Sequence, residues 1–188
     1  MTEKEKMLRG MLYDADDSTL CADRVRAKEL CHAYNQLRPS DAAGMRELLQ
    51  RLLGETGETF CVTAPFWCDY GYNIRLGEHF YANHNLVILD CAAVTFGEHV
   101  FVAPNCGFYT AGHPIDAECR ERGLEYAYPI TVGDHVWIGG GVQVMPGVTI
   151  GSNVVIGGGQ TDLLGQIARG CMARGTQDAN QNAKRKAV

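Results

Sequence analysis

His113 stands in the segment TAGHPID (110–116), in a Gly-His-Pro turn. Imidazole titrates near neutral pH, so it is the natural side chain to take a proton from a hydroxyl whose own pKa lies far higher. A histidine beside a proline is also what a solvated loop looks like, and the pattern by itself fits both readings. His79, His84, His99 and His135 flank it on either side in the sequence. A zinc centre would need three or four such ligands to converge. The eight cysteines contain no Cys-x-x-Cys pair, which points to buried reduced thiols rather than a zinc cluster.

The element that must position these groups runs from Val132 to Ile156. Every sixth residue there is aliphatic: Val132, Ile138, Val144, Ile150 and Ile156. The next residue is Gly133, Gly139, Met145, Gly151 or Gly157, and a second aliphatic series follows at Val136, Val142, Val148 and Val154. A helix repeats near 3.6 and a half-buried strand at 2, so a sustained period of six fits neither. Short strands joined by tight turns fit it, with the first aliphatic of each unit stacked into a shared interior. Glycine after the anchor suits a turn where a side chain would clash or where φ is positive. This phrasing resembles the hexapeptide-repeat, left-handed parallel β-helix; the handedness comes from the resemblance.

Between Phe60 and Asn105 the rhythm persists with slips. Leu76, Ala82, Ile88 and Val94 keep one frame, then Phe96 and Val102 resume two residues later. Such slips mark a bulge or an insertion at a corner. Residues 108–129 abandon the period, and a break of that length inside a regular coil reads as a functional excursion. Residues 1–54 are different material. Ala27, Leu30, Cys31 and Tyr34, then Met45, Leu48, Leu49 and Leu52, have helical spacing. They predict two amphipathic helices, the first capped by Asp17 or Ser18, the second started by Ser40 and stopped at Gly54. The predicted organisation is a helical cap over 1–54, a β-coil over 55–175 and a polar, disordered tail over 176–188.

A net charge of −5 argues against a nucleic-acid partner, so phosphate contacts must come from a few local cations. No apolar run approaches membrane-spanning length and the start, MTEKEKMLRG, lacks the apolar core of a signal peptide, so a cytoplasmic location is the expectation.

The order EKEKMLRGMLYDA, CDYGYNIRLGEHFYANHN, ILD, TAGHPID, GLEYAYPITVGDHVWIGGGV and MPGVTIG is similar to the maltose/galactoside O-acetyltransferases of the hexapeptide-repeat family, over roughly residues 3–159. The resemblance implies a homotrimer that moves acetyl from acetyl-CoA to a sugar hydroxyl by direct transfer, with no metal required and no acyl-enzyme. It implies His113 as general base and Asn83 as an acceptor contact whose amide steadies the oxyanion. Asn83 also reads as a corner asparagine. Asp69 matches an acceptor-binding position, though it also reads as a turn carboxylate, and Asp14 is placed to reach the acceptor from the helical cap. Glu125, later on the same excursion, reads either as a group that orients the imidazole or as one that faces water, and water is the expectation. Asp90 is followed by Cys91 where galactoside members carry a second acid, which favours a maltose-like or glucose-like acceptor. For the acetyl-CoA side the resemblance implies Trp137, Gly140 and Gly158, with Thr161 and Arg174 as carry-overs from a C-terminal region that has lost the family's lysine and has Met172 at its proline. A non-catalytic scaffold with a degraded CoA site and a metal hydratase are the alternatives.

Overall fold

The computed structural model describes residues 1–160 and the backbone of two further short strands, Gln166–Ile167 and Met172–Ala173. Thr161, Arg174 and the 176–188 tail lie outside the described residues. The coil is a parallel β-solenoid whose strands form three flat faces. The first face stacks Glu55–Thr56, Ile74–Leu76, Val94–Phe96, Ile130–Val132, Thr149–Ile150 and Gln166–Ile167; the second stacks Phe60–Val62, Phe80–Ala82, Phe101–Val102, Trp137–Ile138, Val155–Ile156 and Met172–Ala173. The third holds Phe66–Cys68, Leu86–Leu89, Gly107–Tyr109 and Gln143–Val144.

Register explains the hexad. Leu76 lies under Phe96, Val132 and Ile150 on the first face, and Ala82 under Val102, Ile138 and Ile156 on the second. Cys68, Ile88, Phe108 and Val144 stack on the third. All of these side chains are buried, and Phe80, Phe96 and Phe108 fill the widest part, with ring centroids 4.9 Å apart in both pairs.

The frame slips share one place. Val62 to Cys68 is six positions, whereas Cys68 to Leu76 and Ile88 to Phe96 are eight each, and Phe108 to Val132 is 24. Both two-residue slips and the excursion therefore leave the coil at the corner between the third and first faces. Extra backbone there needs partners, and Asp90, wholly buried, supplies them. Its Oδ1 accepts from the Asp69 and Tyr70 N–H groups at 3.1 and 2.8 Å, and its Oδ2 from the Asn73 N–H at 3.3 Å. Thr110, also buried, donates to the Leu89 carbonyl at 2.6 Å and accepts from the Ala92 N–H.

The glycine after each first-face anchor is there for clearance: a Cβ on Gly77 would sit 2.4 Å from the Gly97 carbonyl oxygen. Positive φ falls two residues later, on His79, His99, His135 and Asn153. The three imidazoles consequently stack in a column, with centroids 4.5 and 5.1 Å apart.

The N-terminal cap holds a short helix α1 (Glu3–Leu8), closed by a capping box from Thr2 and Glu5, then α2 (Ser18–Gln36) and α3 (Ala42–Leu52). The spacing did not reveal α1, which is under two turns long. Asp17 caps α2 as anticipated. Asp41, not Ser40, caps α3 by accepting from the Gly44 N–H at 3.0 Å, and α3 closes on Leu53. Gly54 already belongs to the coil, donating to the Gly71 and Ile74 carbonyls; a Cβ there would strike the Tyr72 carbonyl oxygen at 2.2 Å. Asn35 donates to the Phe66 carbonyl and accepts from its N–H, both at 2.9 Å, standing in for the missing coil below. Among the described residues no helix is long and apolar enough to cross a membrane.

Two outcomes follow. Val144→Asp places an unpaired charge at a position with no exposure, costing on the order of several kcal/mol, and should abolish folding or assembly; soluble, native-sized protein on gel filtration would show the phase to be wrong. Burial pushes the Asp90 carboxyl up from 3.8 to about 6, against the backbone N–H groups that favour the anion. A raised folded-state pKa gives stability that is complete below pH 3.8 and is lost as pH rises through 6. The stability difference between wild type and Asp90→Asn in urea melts should therefore change by about 3 kcal/mol from pH 3.8 to pH 7; a constant difference would show that Asp90 does not titrate there.

Candidate active site

The excursion has its own architecture. Ala111–Gly112 pairs antiparallel with Leu124–Ala127, which pairs in turn with Tyr13–Asp14 from the cap, making a three-stranded sheet. Between them runs α4 (Ala117–Glu121), capped by Asp116 through the Cys119 N–H at 2.8 Å. His113 follows the Ala111–Gly112 strand directly, so a paired strand and not a free loop sets where its backbone emerges.

The His113 ring is largely exposed, with Nε2 3.9 Å from Glu125 Oε1. Register places Glu125 opposite Tyr13, whose hydroxyl donates to Glu125 Oε2 at 2.7 Å. The expectation that Glu125 faces water is thereby corrected: its neighbours are an imidazole and a buried phenol. Burial, foremost, and the Cys91 and Glu125 groups beside it push the Tyr13 hydroxyl far above its ordinary pKa, which keeps it a donor. In the arrangement Tyr13, Glu125, His113 a buried donor fixes a carboxylate, and the carboxylate lies 3.9 Å from one nitrogen of a ring whose other edge is open, a geometry in which it can attract the ring once that ring is protonated.

Asp69 sits behind this group at the same corner. Its backbone is held by Asp90, and its Oδ2 lies 3.7 Å from the Cys91 thiol. Burial raises its pKa, partly offset by the Arg24 guanidinium. Arg24, from α2, donates to the Tyr70 hydroxyl at 2.8 Å and to the Ala15 carbonyl at 2.7 Å, tying cap to corner. Cys91 is buried and its thiol is pushed up by burial, so it meets Asp69 from the inside. Asp14 lies on the cap strand beside Leu124; it is exposed, and its Oδ1 accepts from the Asp16 N–H at 2.9 Å.

Asn83 is elsewhere. It follows the Phe80–Ala82 strand at the corner between the second and third faces, where its N–H donates to the Val102 carbonyl. Its Oδ1 accepts from the His84 N–H at 2.7 Å, so donor hydrogens are what the side chain offers a ligand. Gly140 and Gly158 occupy the same corner two and three coils on, stacked so that the Gly159 N–H reaches the Gly140 carbonyl at 2.7 Å. A Cβ on Gly158 would lie 3.1 Å from that oxygen, so this edge is bare backbone. Trp137 projects from the second face, 55 % exposed, in a column with Phe101 below and Val155 above. One chain thus brings His113, Glu125 and Asp69 to one corner, and Asn83, Gly140 and Gly158 to another. The third face lies between, roughly 15 Å of strand.

Histidines do not converge. His79, His99 and His135 share the corner between the first and second faces, His84 is on the next corner and His113 is on the excursion. Among the described residues no three His, Cys, Asp or Glu side chains are grouped to hold a metal ion.

Sequence reasoning missed Tyr13, Arg24 and the structural role of Asp90. Tyr13 is 112 residues from its partner, and only the adjacency of Tyr13 to Asp14 in the LYDA segment hinted at it.

Comparison with known proteins bears on the whole arrangement. Residues 6–57 match the maltose acetyltransferase hexapeptide capping motif and residues 129–159 the bacterial transferase hexapeptide of six repeats. A maltose O-acetyltransferase from Clostridium difficile 630 superposes with a TM-score of 0.90 at 44% identity, covering 92% of each chain. A galactoside acetyltransferase in complex with coenzyme A gives 0.90 at 38%, covering 94% of this chain and 88% of its own. A hexapeptide-repeat acetyltransferase from Vibrio cholerae O1 biovar eltor, complexed with acetyl-coenzyme A, gives 0.86 at 37%, covering 94% and 95%. The chain belongs to the maltose/galactoside acetyltransferase family of hexapeptide-repeat acyltransferases.

Proposed function

We propose that this protein transfers acetyl from acetyl-CoA to a hydroxyl of a sugar acceptor of maltose or glucose type, with His113 as the general base, in a site shared between subunits of a homotrimer. The observation that carries the reading is the Tyr13–Glu125–His113 alignment, in a chain whose relatives include acetyltransferases complexed with coenzyme A or acetyl-coenzyme A.

In the reaction, the open nitrogen of His113 takes the hydroxyl proton as the oxygen attacks the acetyl carbonyl. Glu125 faces the ring as it becomes positive, which orients and steadies it. The Asn83 amide donates to the tetrahedral oxyanion, a contact that acts only when charge has built up on that oxygen. Collapse breaks the carbon–sulfur bond, and the imidazolium returns its proton to the departing thiolate. Asp69 and Asp14 hold acceptor hydroxyls. Gly140 and Gly158 let the pantetheine arm approach backbone along the second corner, with Trp137 against it.

Because His113 and Asn83 stand on different corners of one chain, the reading requires one chain's excursion to reach the neighbour's Asn83 corner. Surface character supports assembly. The outward residues of the first face include Thr95, Thr131 and Thr149, whereas the other two expose Phe101, Trp137 and Trp67. Large exposed apolar groups on a flat face favour a partner surface.

His113→Ala should lower kcat/KM by about 10²- to 10⁴-fold while leaving the melting temperature within a few degrees; a large loss of stability would make His113 structural. Glu125→Gln and Tyr13→Phe should each reduce kcat more than they raise KM, and a change in KM alone would remove the orienting role. Mixing inactive His113→Ala and Asn83→Ala proteins under subunit exchange should restore part of the activity, since some interfaces then pair two intact halves. No recovery, with exchange demonstrated by mass spectrometry, would place the whole site within one chain.

A further inference from the structure

We infer that Cys31 and Cys68 form a site of thiol oxidation, a buried dithiol that a hydroperoxide converts to a disulfide fastening the cap to the first coil. This is independent of the acetyl-transfer reading, in which neither thiol has a part.

The two cysteines are 37 positions apart in sequence, and docking of α2 on the coil brings their sulfurs to 3.7 Å. Both side chains are buried. The contact is held by the bonds around it. Asn35, one turn beyond Cys31 on the same face of α2, bonds both backbone groups of Phe66, at 2.9 Å each. Phe66 precedes Cys68 by two on one strand, so the two side chains point the same way, and both are buried. The Tyr34 hydroxyl donates to the Val62 carbonyl on the strand before it. While α2 stays docked, the sulfurs cannot drift apart. A disulfide needs a separation near 2.05 Å, so the pair must close by about 1.7 Å, a distance within the swing of two thiol side chains.

The contact also divides the roles. The hydrogen bond with Cys68 holds the Cys31 thiol below its ordinary pKa against the opposing effect of burial, whereas the same bond and burial together push Cys68 up. Cys31 is therefore the attacking thiolate and Cys68 the resolving thiol. Hydrogen peroxide is scarcely larger than water, and local opening of the hairpin is enough to admit it. The Cys31 sulfur attacks one peroxide oxygen, the O–O bond breaks, and the hydroxide that leaves takes up the proton Cys31 gave. The sulfur, oxidised by two electrons, carries the other oxygen as a sulfenic acid. The Cys68 sulfur then displaces that oxygen, which leaves as water with the Cys68 proton, and the S–S bond forms. The product ties α2 to the strand it covers and removes freedom from the unfolded chain across 37 positions.

The test treats the full-length protein with millimolar hydrogen peroxide, alkylates the remaining thiols and digests without reduction. Mass spectrometry should find the Cys31 and Cys68 peptides joined with the loss of two hydrogens. The melting temperature should rise by roughly 5–10 °C and fall back when dithiothreitol is added. Cys31→Ser and Cys68→Ala, treated in the same way, should show no such rise. Recovery of both thiols unlinked under conditions that oxidise the exposed Cys61 would overturn the inference. So would a joined peptide that leaves the melting temperature unchanged, or a reversible rise that persists in both variants. The mass measurement needs only the wild-type chain, so it decides the matter even where a variant fails to fold.

Discussion

A coil can settle on the one below only where strand meets strand at the fixed parallel spacing of about 4.8 Å, with inward residue over inward residue. Every other feature of this molecule follows from how the chain meets that constraint. A strand that gained one residue would turn its core side chain outward, so added length is admitted only at corners. The corner between the third and first faces takes all of it: two residues after Cys68, two after Ile88, and the whole excursion after Phe108. The proposed catalytic group sits where regularity is already broken, because only there can a side chain be aimed without disturbing the stack.

Breaking regularity has its own cost, since backbone that leaves a ladder loses its partners. Asp90 and Thr110 answer this by taking up N–H and C=O groups that coil pairing cannot reach. Asp90 does so while wholly buried beside Asp69, whose own carboxyl is also raised by burial. Asp90 and Asp69 are thus two neighbouring carboxyls, both raised by burial, at the corner that carries the proposed site.

The late coils were legible from spacing alone because a period of six fits neither helix nor simple strand, and Val132, Ile138, Val144, Ile150 and Ile156 are buried in the phase their spacing dictates. The slips were legible as corner events, but which corner took them was not, since that depends on stacking between residues twenty apart. Ser40 was chosen over Asp41 because both are good caps and only the local backbone decides between them. Glu125 was misread for a different reason. Nothing near it in sequence marks it as held, and its partner Tyr13 lies at the far end of the chain. His113 was singled out through its motif context, whereas the carboxylate that faces it came into view only with the excursion folded back on the cap.

That fold-back gives the cap two duties that cannot be separated. Through Asn35 and Tyr34 it closes the open edge of the first coil, which would otherwise present unpaired strand groups to water or to another chain. Through Tyr13–Asp14 it adds an edge strand to the excursion's Leu124–Ala127, and through Arg24 it grips the corner that carries Asp69. A coil that merely needed an end could be closed by any amphipathic hairpin. A cap that also orients Glu125 must hold its first twenty residues in register with an excursion that departs three coils higher. The same cap that terminates the solenoid therefore also holds the carboxylate that faces the proposed base.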